Sequence, residues 1–368
     1  MAYNVVSADN HILEPRDLFV TRMPKQFRDR APRVLRGADG GDGWSWDGKA
    51  PQRTLGIEAT AGRNVQISGY KWEEILPGNY DGAAHVADMK ADGIDAAVLF
   101  PTVPVHAYTL PDPEFALATM QTFNDWLFED FVAASPKQLI GLAMLPVNHG
   151  MGTTVNELRR CVAKGAKAFF IPTYPNIPYV DRHYEPLWAA AAEAGTPLCL
   201  HRTSGGVDPM GGFQFGVPGL NVAGTVSRFF SGVQPLTYLI FTGVFARHPK
   251  LVVIDAEVNF GWIPFWKATM DECYQRQKGW AKIPLDTLPS EALGKNVFVT
   301  VLDDQVGFDQ IRFDPKLADL ALFSIDYPHS VCLWPGSAQH IERVTKNVDA
   351  ASKAKILAGT AVRLFGLS

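Results

Sequence analysis

The sequence is short of the features that mark several large classes of protein. Cysteine occurs only four times in 368 residues, at Cys161, Cys199, Cys273 and Cys332, with no C-x-x-C and no clustered spacing. That excludes a disulfide-stapled scaffold and a cysteine-rich zinc module, and four reduced thiols are expected. Basic residues are in no excess: the net charge is -4. The chain therefore offers neither a positive field for nucleic acid nor a polybasic patch for a membrane surface. No apolar run approaches the ~20 residues that span a bilayer. The opening stretch MAYNVVSADNH lacks the basic region and apolar run of a secretory leader. The expectation is a soluble, cytoplasmic protein acting on a small molecule, with homodimers or higher homo-oligomers as its own partner state.

What is present is a large supply of core. Hydrophobic residues make up 47% of the chain and charged residues 20%, which excludes global disorder. Short apolar runs recur in order at Asn4 to Ala8, Ala96 to Phe100, Leu139 to Val147, Ala166 to Ile171, Pro197 to Leu200, Leu251 to Ile254, Val297 to Leu302 and Ala321 to Ile325. They are continuous rather than alternating, as parallel strands buried on both faces are. Helical periodicity fills most intervals: Glu114 to Ala133, Val155 to Lys164, Tyr184 to Ala194, Gln234 to Arg247, Pro264 to Gln277, Ser337 to Val348 and Ala350 to Phe365. Eight βα units predict a (β/α)8 barrel, a single domain over residues 1–368. Two stretches exceed a plain barrel, 15–80 after the first strand and 202–228 after the fifth. Both leave the strand ends where barrel enzymes keep their sites, and both carry aromatics, so lids are expected rather than disordered inserts.

The strand ends hold the chemistry. The first gives Asp9 and His11, two apart and so on one side of an extended chain. The fifth gives His201, the sixth Glu257, and the eighth Asp326 with His329; Asn148, His149, Asp303 and Asp304 follow the third and seventh. A barrel gathers these ends into one mouth. Asp9, His11, His201 and Asp326 make a nitrogen and oxygen donor set suited to one Zn²⁺, with Mn²⁺ or Fe²⁺ as alternatives. Each member also has a plainer reading: D-x-H is commonplace, and a histidine ending an apolar strand can be a satisfied core residue. His248, at a helix end before Pro249, reads as structural. His183 and His340 read as surface residues on helices.

Further stretches carry a resemblance. Ser7-Ala8-Asp9-Asn10-His11 with Glu14-Pro15, Pro197 to His201, Arg247-His248-Pro249-Lys250-Leu251, Glu257 to Trp262 and Asp326-Tyr327-Pro328-His329 resemble the amidohydrolase-related family that includes aminocarboxymuconate-semialdehyde decarboxylase and the resorcylate-type decarboxylases. The resemblance implies the same four ligands, Asp9, His11, His201 and Asp326. Two departures stand out. Many relatives begin the first-strand motif with histidine where this chain has Asp9, and the decarboxylases end the sixth strand with histidine where Glu257 stands. A relative's carboxylate-binding arginine is unmatched in the region of Lys267 and Ala268. The fourth strand ends Ile171-Pro172-Thr173, without the lysine that would bridge a second ion, so one metal is expected.

The expected activity is metal-dependent hydrolysis of a small aromatic or cyclic substrate by metal-activated water. Asp326 would act as proton shuttle, with Glu257 or His329 polarising the scissile group or orienting the water. Arg202, Phe213, Phe215 and Trp262 are the candidate substrate contacts. The alternative is nonoxidative decarboxylation of an aromatic or unsaturated acid, with Arg202, Arg53, Arg63 or Arg228 beside the carboxylate. A non-catalytic binding barrel stands third.

Overall fold

In the computed structural model, which describes residues 3–202, 204–205 and 219–368, the eight apolar runs are all strands. They are β1 (Val6–His11), β2 (Ala96–Phe100), β3 (Leu139–Met144), β4 (Ala168–Phe170), β5 (Leu198–His201), β6 (Val253–Ala256), β7 (Val297–Val301) and β8 (Ala321–Phe323). Each pairs in parallel with the next in sequence order, from β1 to β8. Every residue in them is buried except His201, which is half-buried at the mouth. Burial on both faces is why these runs do not alternate.

The seam between β8 and β1 closes through the residues after β8. Asp326 N–H donates to the Asp9 carbonyl at 2.9 Å, and His11 N–H donates to the Tyr327 carbonyl at 2.7 Å. Ile325 N–H donates to Ser7 Oγ at 3.0 Å. The chain is thus a nearly closed α/β barrel, and its seam runs through the candidate metal site.

Helices pack outside the strands as their periodicity predicts. Pro113–Trp126 continues through Phe131, Glu185–Ala194 stops at left-handed Gly195, and Ile263–Ala281 runs for 19 residues. The single helix expected over Gln234 to Arg247 is two, Val233–Phe241 and Val244–Arg247. Gly243 between them adopts φ 72°. Pro284 Cγ would lie 3.0 Å from a Cβ there, so glycine supplies both the turn and the close approach.

The long excursion after β1 is a folded layer. Strands Arg33–Arg36 and Asp42–Ser45 pair in an antiparallel hairpin, and Leu55 bridges Tyr70. Trp44 packs edge-on against Phe19 and Trp72, with ring centroids 6.0 and 6.5 Å away. The layer is pinned to the mouth by Ala61 N–H to the Pro328 carbonyl and Ser330 N–H to the Ile57 carbonyl, both 2.7 Å. The second excursion contains a helix, Leu220–Arg228, that the periodicity did not reveal. Met210, Phe213 and Phe215 lie outside the described residues.

Among the described residues no helix is long and apolar enough to cross a membrane. His340 is half-buried rather than on the surface, with Nε2 3.0 Å from the Leu302 carbonyl. His183 is also half-buried.

Candidate active site and metal centre

Five side chains converge where β1, β5 and β8 end. His11 Nε2 lies 3.1 Å from His201 Nε2 and 3.5 Å from both Asp9 Oδ1 and Asp326 Oδ1. His201 Nε2 is 3.9 Å from Asp9 Oδ1. His329 stacks on His11 at 3.8 Å between ring centroids, and its Nδ1 stands 3.0 Å from Asp326 Oδ1. Two triads, Asp9–His11–His201 and His11–Asp326–His329, each hold their donor atoms within 4.8 Å of one another. They share His11. The sequence placed the first four in one donor set; the structure puts His329 close enough to be a fifth donor.

The two aspartates are wholly buried. Among the described residues Asp9 Oδ1 and Asp326 Oδ2 have no hydrogen-bond partner, and Asp326 Oδ1 has only the His329 imidazole, with Nδ1 at 3.0 Å. Asp9 Oδ2 has only the Thr300 hydroxyl, at 3.3 Å. Burying an ionised carboxylate without a partner costs several kcal/mol even after relaxation. Orphaned carboxylate oxygens beside the lowered His11 and His201 imidazoles are what a cation would satisfy, so these residues fit a divalent ion.

The backbone holds two of the acids in strained conformations. Asp326 has φ 53° and Glu257 φ 61°, in the left-handed region that costs non-glycine residues about 1–3 kcal/mol each. Asp326 is fixed by its bond to the Asp9 carbonyl. Glu257 is fixed by its N–H donating to Thr300 Oγ1 at 2.7 Å. Thr300 therefore serves Glu257, whose N–H it accepts, and Asp9, to whose Oδ2 it donates. The sequence reading passed over it, although it is the one hydroxyl in Val-Phe-Val-Thr-Val.

Arg202 continues from His201 and meets Glu257, Nη2 to Oε1 at 2.5 Å. Glu257 Oε2 is 3.5 Å from His201 Nε2. A cavity of about 440 Å³ opens over the cluster. The first excursion contributes Arg53, Ile57, Glu58 and Ile67 to its wall, and the helix after β5 contributes Val222, Thr225 and Arg228. Arg53 pairs with Glu58 at 2.9 Å; the sequence had not singled out Glu58.

Electrostatics follow the burial. Burial, then the neighbouring Asp326 and Glu257 charges, push Asp9 well above the carboxylate range. Burial, then the charges of His329 and His201, push His11 well down. Burial, then Arg202, brings His201 to about 3 despite nearby Glu257. Both imidazoles are thus neutral and able to donate a lone pair. Burial raises Glu257 to about 7, with Arg202 opposing it. Burial works against charged His329, but Asp326 outweighs it and leaves this imidazole raised.

Other sequence candidates fall elsewhere. Trp262 does not line the cavity: its Nε1 donates to the Val258 carbonyl, and its ring packs against Phe230 and Trp266. Asp304 caps the helix Gln305–Gln310 and accepts from Phe260 and Gly261 N–H. Asp303 pairs with Arg343. Asn148 bonds the Tyr108 carbonyl and Asn176 N–H. His248 pairs with Glu185 at 2.7 Å.

A family model described as Amidohydrolase matches residues 75–367. The chain belongs to the amidohydrolase family. It is an enzyme of that family, within a range that spans hydrolases and carboxy-lyases. Among solved structures it is similar to an amidohydrolase from Mycobacterium avium subsp. paratuberculosis K-10, with 22% identity over 100% of this chain and 99% of that one, TM-score 0.78. It is also similar to 5-carboxyvanillate decarboxylase from Sphingomonas paucimobilis, with 20% identity over 100% of both chains, TM-score 0.69. A third is the dihydroxybenzoic acid decarboxylase from Polaromonas sp. JS666 with bound manganese and 2-nitroresorcinol, 20% identical over 100% and 98%, TM-score 0.64. No curated protein shows significant similarity to the chain.

Proposed function

We propose that this amidohydrolase-family enzyme is a metal-dependent nonoxidative decarboxylase of a small carboxylic acid. The hydrolysis expected from sequence becomes the second arm of the test. The observation that carries this reading is the charge of the mouth. Asp9, Glu58, Glu257 and Asp326 face Arg53, Arg202 and Arg228, four carboxylates against three guanidiniums. With the raised His329 imidazole counted as a cation these charges cancel, and a divalent cation would leave the mouth positive, which suits a carboxylate. The Ile57, Ile67, Val105, Phe170, Val222 and Val331 walls suit an apolar body behind the carboxylate. Similarity in fold to two decarboxylases supports the same class.

Asp9, His11, His201 and Asp326 would hold the ion, which as a Lewis acid would polarise the substrate's carboxylate end. The remaining work falls to the chain. Asp326, with an oxygen free of hydrogen bonds, delivers a proton to the carbon bearing the carboxylate. His329, 3.0 Å away and raised by Asp326, supplies Asp326 with that proton and is itself reprotonated from solvent. The carbon–carbon bond then breaks, CO₂ leaves, and its electron pair stays with the newly protonated carbon skeleton. The Glu257–Arg202 pair, which also lines the cavity, orients the substrate. The apolar lining excludes water from the protonated carbon.

The test is to load the protein with Zn²⁺ or Mn²⁺ and incubate it with aromatic and unsaturated carboxylic acids, and separately with amides and esters. CO₂ release that requires the metal is the expected result. Hydrolysis without CO₂ returns the reading to a hydrolase.

A further inference from the structure

Asn10 stands between two candidate ligands and points away from the mouth. In a regular strand Ser7 and Asn10, three apart, would face opposite sides. Here the register slips: Ser7 pairs with Ala97 but Asn10 with Leu99, so β1 has one residue more than β2. This bulge brings both side chains to the outer face, where Ser7 Oγ donates to Asn10 Oδ1 at 2.6 Å. Asn10 Nδ2 then donates to His85 Nε2 at 3.1 Å. The Gly78 carbonyl, 2.8 Å from His85 Nδ1, can only accept, which fixes the tautomer that leaves Nε2 free to accept. All three side chains are fully buried, and burial lowers His85 to about 4, so the ring stays neutral.

His85 lies on the helix Gly82–Ala91, and Asp88, three residues on, shares its face. Asp88 Oδ2 accepts the Tyr327 hydroxyl. Its carbonyl accepts Trp334 Nε1 at 3.1 Å. The Tyr327 ring also meets His85 edge-on, with centroids 5.1 Å apart. One helix face therefore grips Asn10, between Asp9 and His11, and Tyr327, next to Asp326. The Ser7 hydroxyl ties the two grips together by accepting Ile325 N–H across the seam.

We propose that the helix Gly82–Ala91 is a positioning element for the metal centre: His85 through Asn10, and Asp88 through Tyr327, hold the chain on either side of Asp9, His11 and Asp326. None of these four residues is among the candidate ligands. They set the bulge and the seam that aim the ligands, and so tune affinity without adding a donor. The inference rests on the metal reading of the preceding subsection.

The experiment measures Zn²⁺ affinity by competition with a chromogenic chelator, the absorption spectrum of the Co²⁺-loaded protein, and thermal unfolding without metal. These are compared for wild type, Asn10→Leu, His85→Phe, His85→Gln and Tyr327→Phe. Asn10→Leu and His85→Phe should weaken Zn²⁺ binding about 10–100-fold, as loss of outer partners does, and shift the Co²⁺ bands. An Asn10→Leu and His85→Phe double variant should add little to either single change, because both cut one path. His85→Gln, which keeps an acceptor for Asn10, should recover part of the affinity. Unchanged affinity and Co²⁺ spectrum, with or without a fall in metal-free stability, overturn the proposal. If Asn10→Leu does not fold, Tyr327→Phe and Ser7→Ala decide by the same criteria. A wild type that takes up no ion overturns the metal reading and this inference together; ion uptake that the variants leave untouched overturns this inference alone.

Discussion

Two buried carboxylate clusters in this barrel have opposite fates. On the outside, between helices, Glu157 is almost fully buried, and both its oxygens are occupied. Asn124 Nδ2 and Arg160 Nη2 reach Oε1, each at 2.7 Å. Gln121 Nε2 and Arg160 Nε reach Oε2 at 3.0 and 2.8 Å. Burial alone would raise this acid, but the Arg160 fork and the amides outweigh it and hold it below the usual range. In the mouth, Asp9 and Asp326 are as deeply buried, yet Asp9 Oδ1 and Asp326 Oδ2 have no partner among the described residues. The first cluster is complete in the protein alone. The second is not, and the proposed metal reading rests on that contrast.

The largest effect should come from Asp326→Asn. It keeps an oxygen donor and nearly the same volume but cannot carry a proton. Turnover should fall by about 10²–10⁴-fold with bound metal largely retained. Glu257→Gln should be milder, because Glu257 already shares Arg202. A near-silent Asp326→Asn beside an inactive Glu257→Gln would move the proton to Glu257.

Next comes His201→Ala. Loss of a neutral ring nitrogen should weaken the ion by more than the 10–100-fold that outer partners govern, with the barrel still folded. Elemental analysis and circular dichroism read the two separately. Wild-type occupancy would remove His201 from the centre.

Much of this site was legible from residue order alone, because a barrel sends every strand end to one face and the donors stand at those ends. Asp9, His11, His201 and Asp326 needed no further information. Glu58 was hidden because it lies in an irregular stretch whose path over the mouth has no periodicity. Trp262 looked like a substrate wall because it follows Glu257 closely. The left-handed turns at Glu257 and Asn259 redirect the chain, and the indole bonds its own backbone instead. The seam was also unreadable: it depends on a hydroxyl at Ser7 meeting an amide 318 residues away.

The outer cluster gives a smaller, opposite result. Glu157→Gln should cost about 1.5–3 kcal/mol, the worth of hydrogen bonds to a charged group, and leave metal content and turnover per folded molecule unchanged. Because the Glu157 carboxyl is depressed in the fold, its contribution is present above its unfolded value and is lost as pH falls through the folded one. Acid unfolding should therefore begin at higher pH in the wild type than its other carboxylates require, and the variant should lack that component. Loss of metal in Glu157→Gln would mean the two clusters are coupled.

The last expected effect, spread over a range of pH, concerns an acid that belongs to neither kind. Asp255 on β6 is fully buried, and neither oxygen has a hydrogen-bond partner. It faces Gly232 at the start of the helix Val233–Phe241, where a Cβ would lie 1.5 Å from its Oδ2. No imidazole of the mouth appears among its influences; burial alone raises it to about 7. An acid raised in the folded state stabilises most below its unfolded value, near 3.8, and loses that contribution as pH climbs toward about 7. The slope is at most about 1.4 kcal/mol per pH unit. Asp255→Asn keeps the shape without the titration, so its melting temperature should exceed that of the wild type by a margin that grows from pH 4.5 to about 7 and then levels off. Parallel curves would show that Asp255 does not change its protonation on folding in that range, and the protein would then have no third class of buried acid.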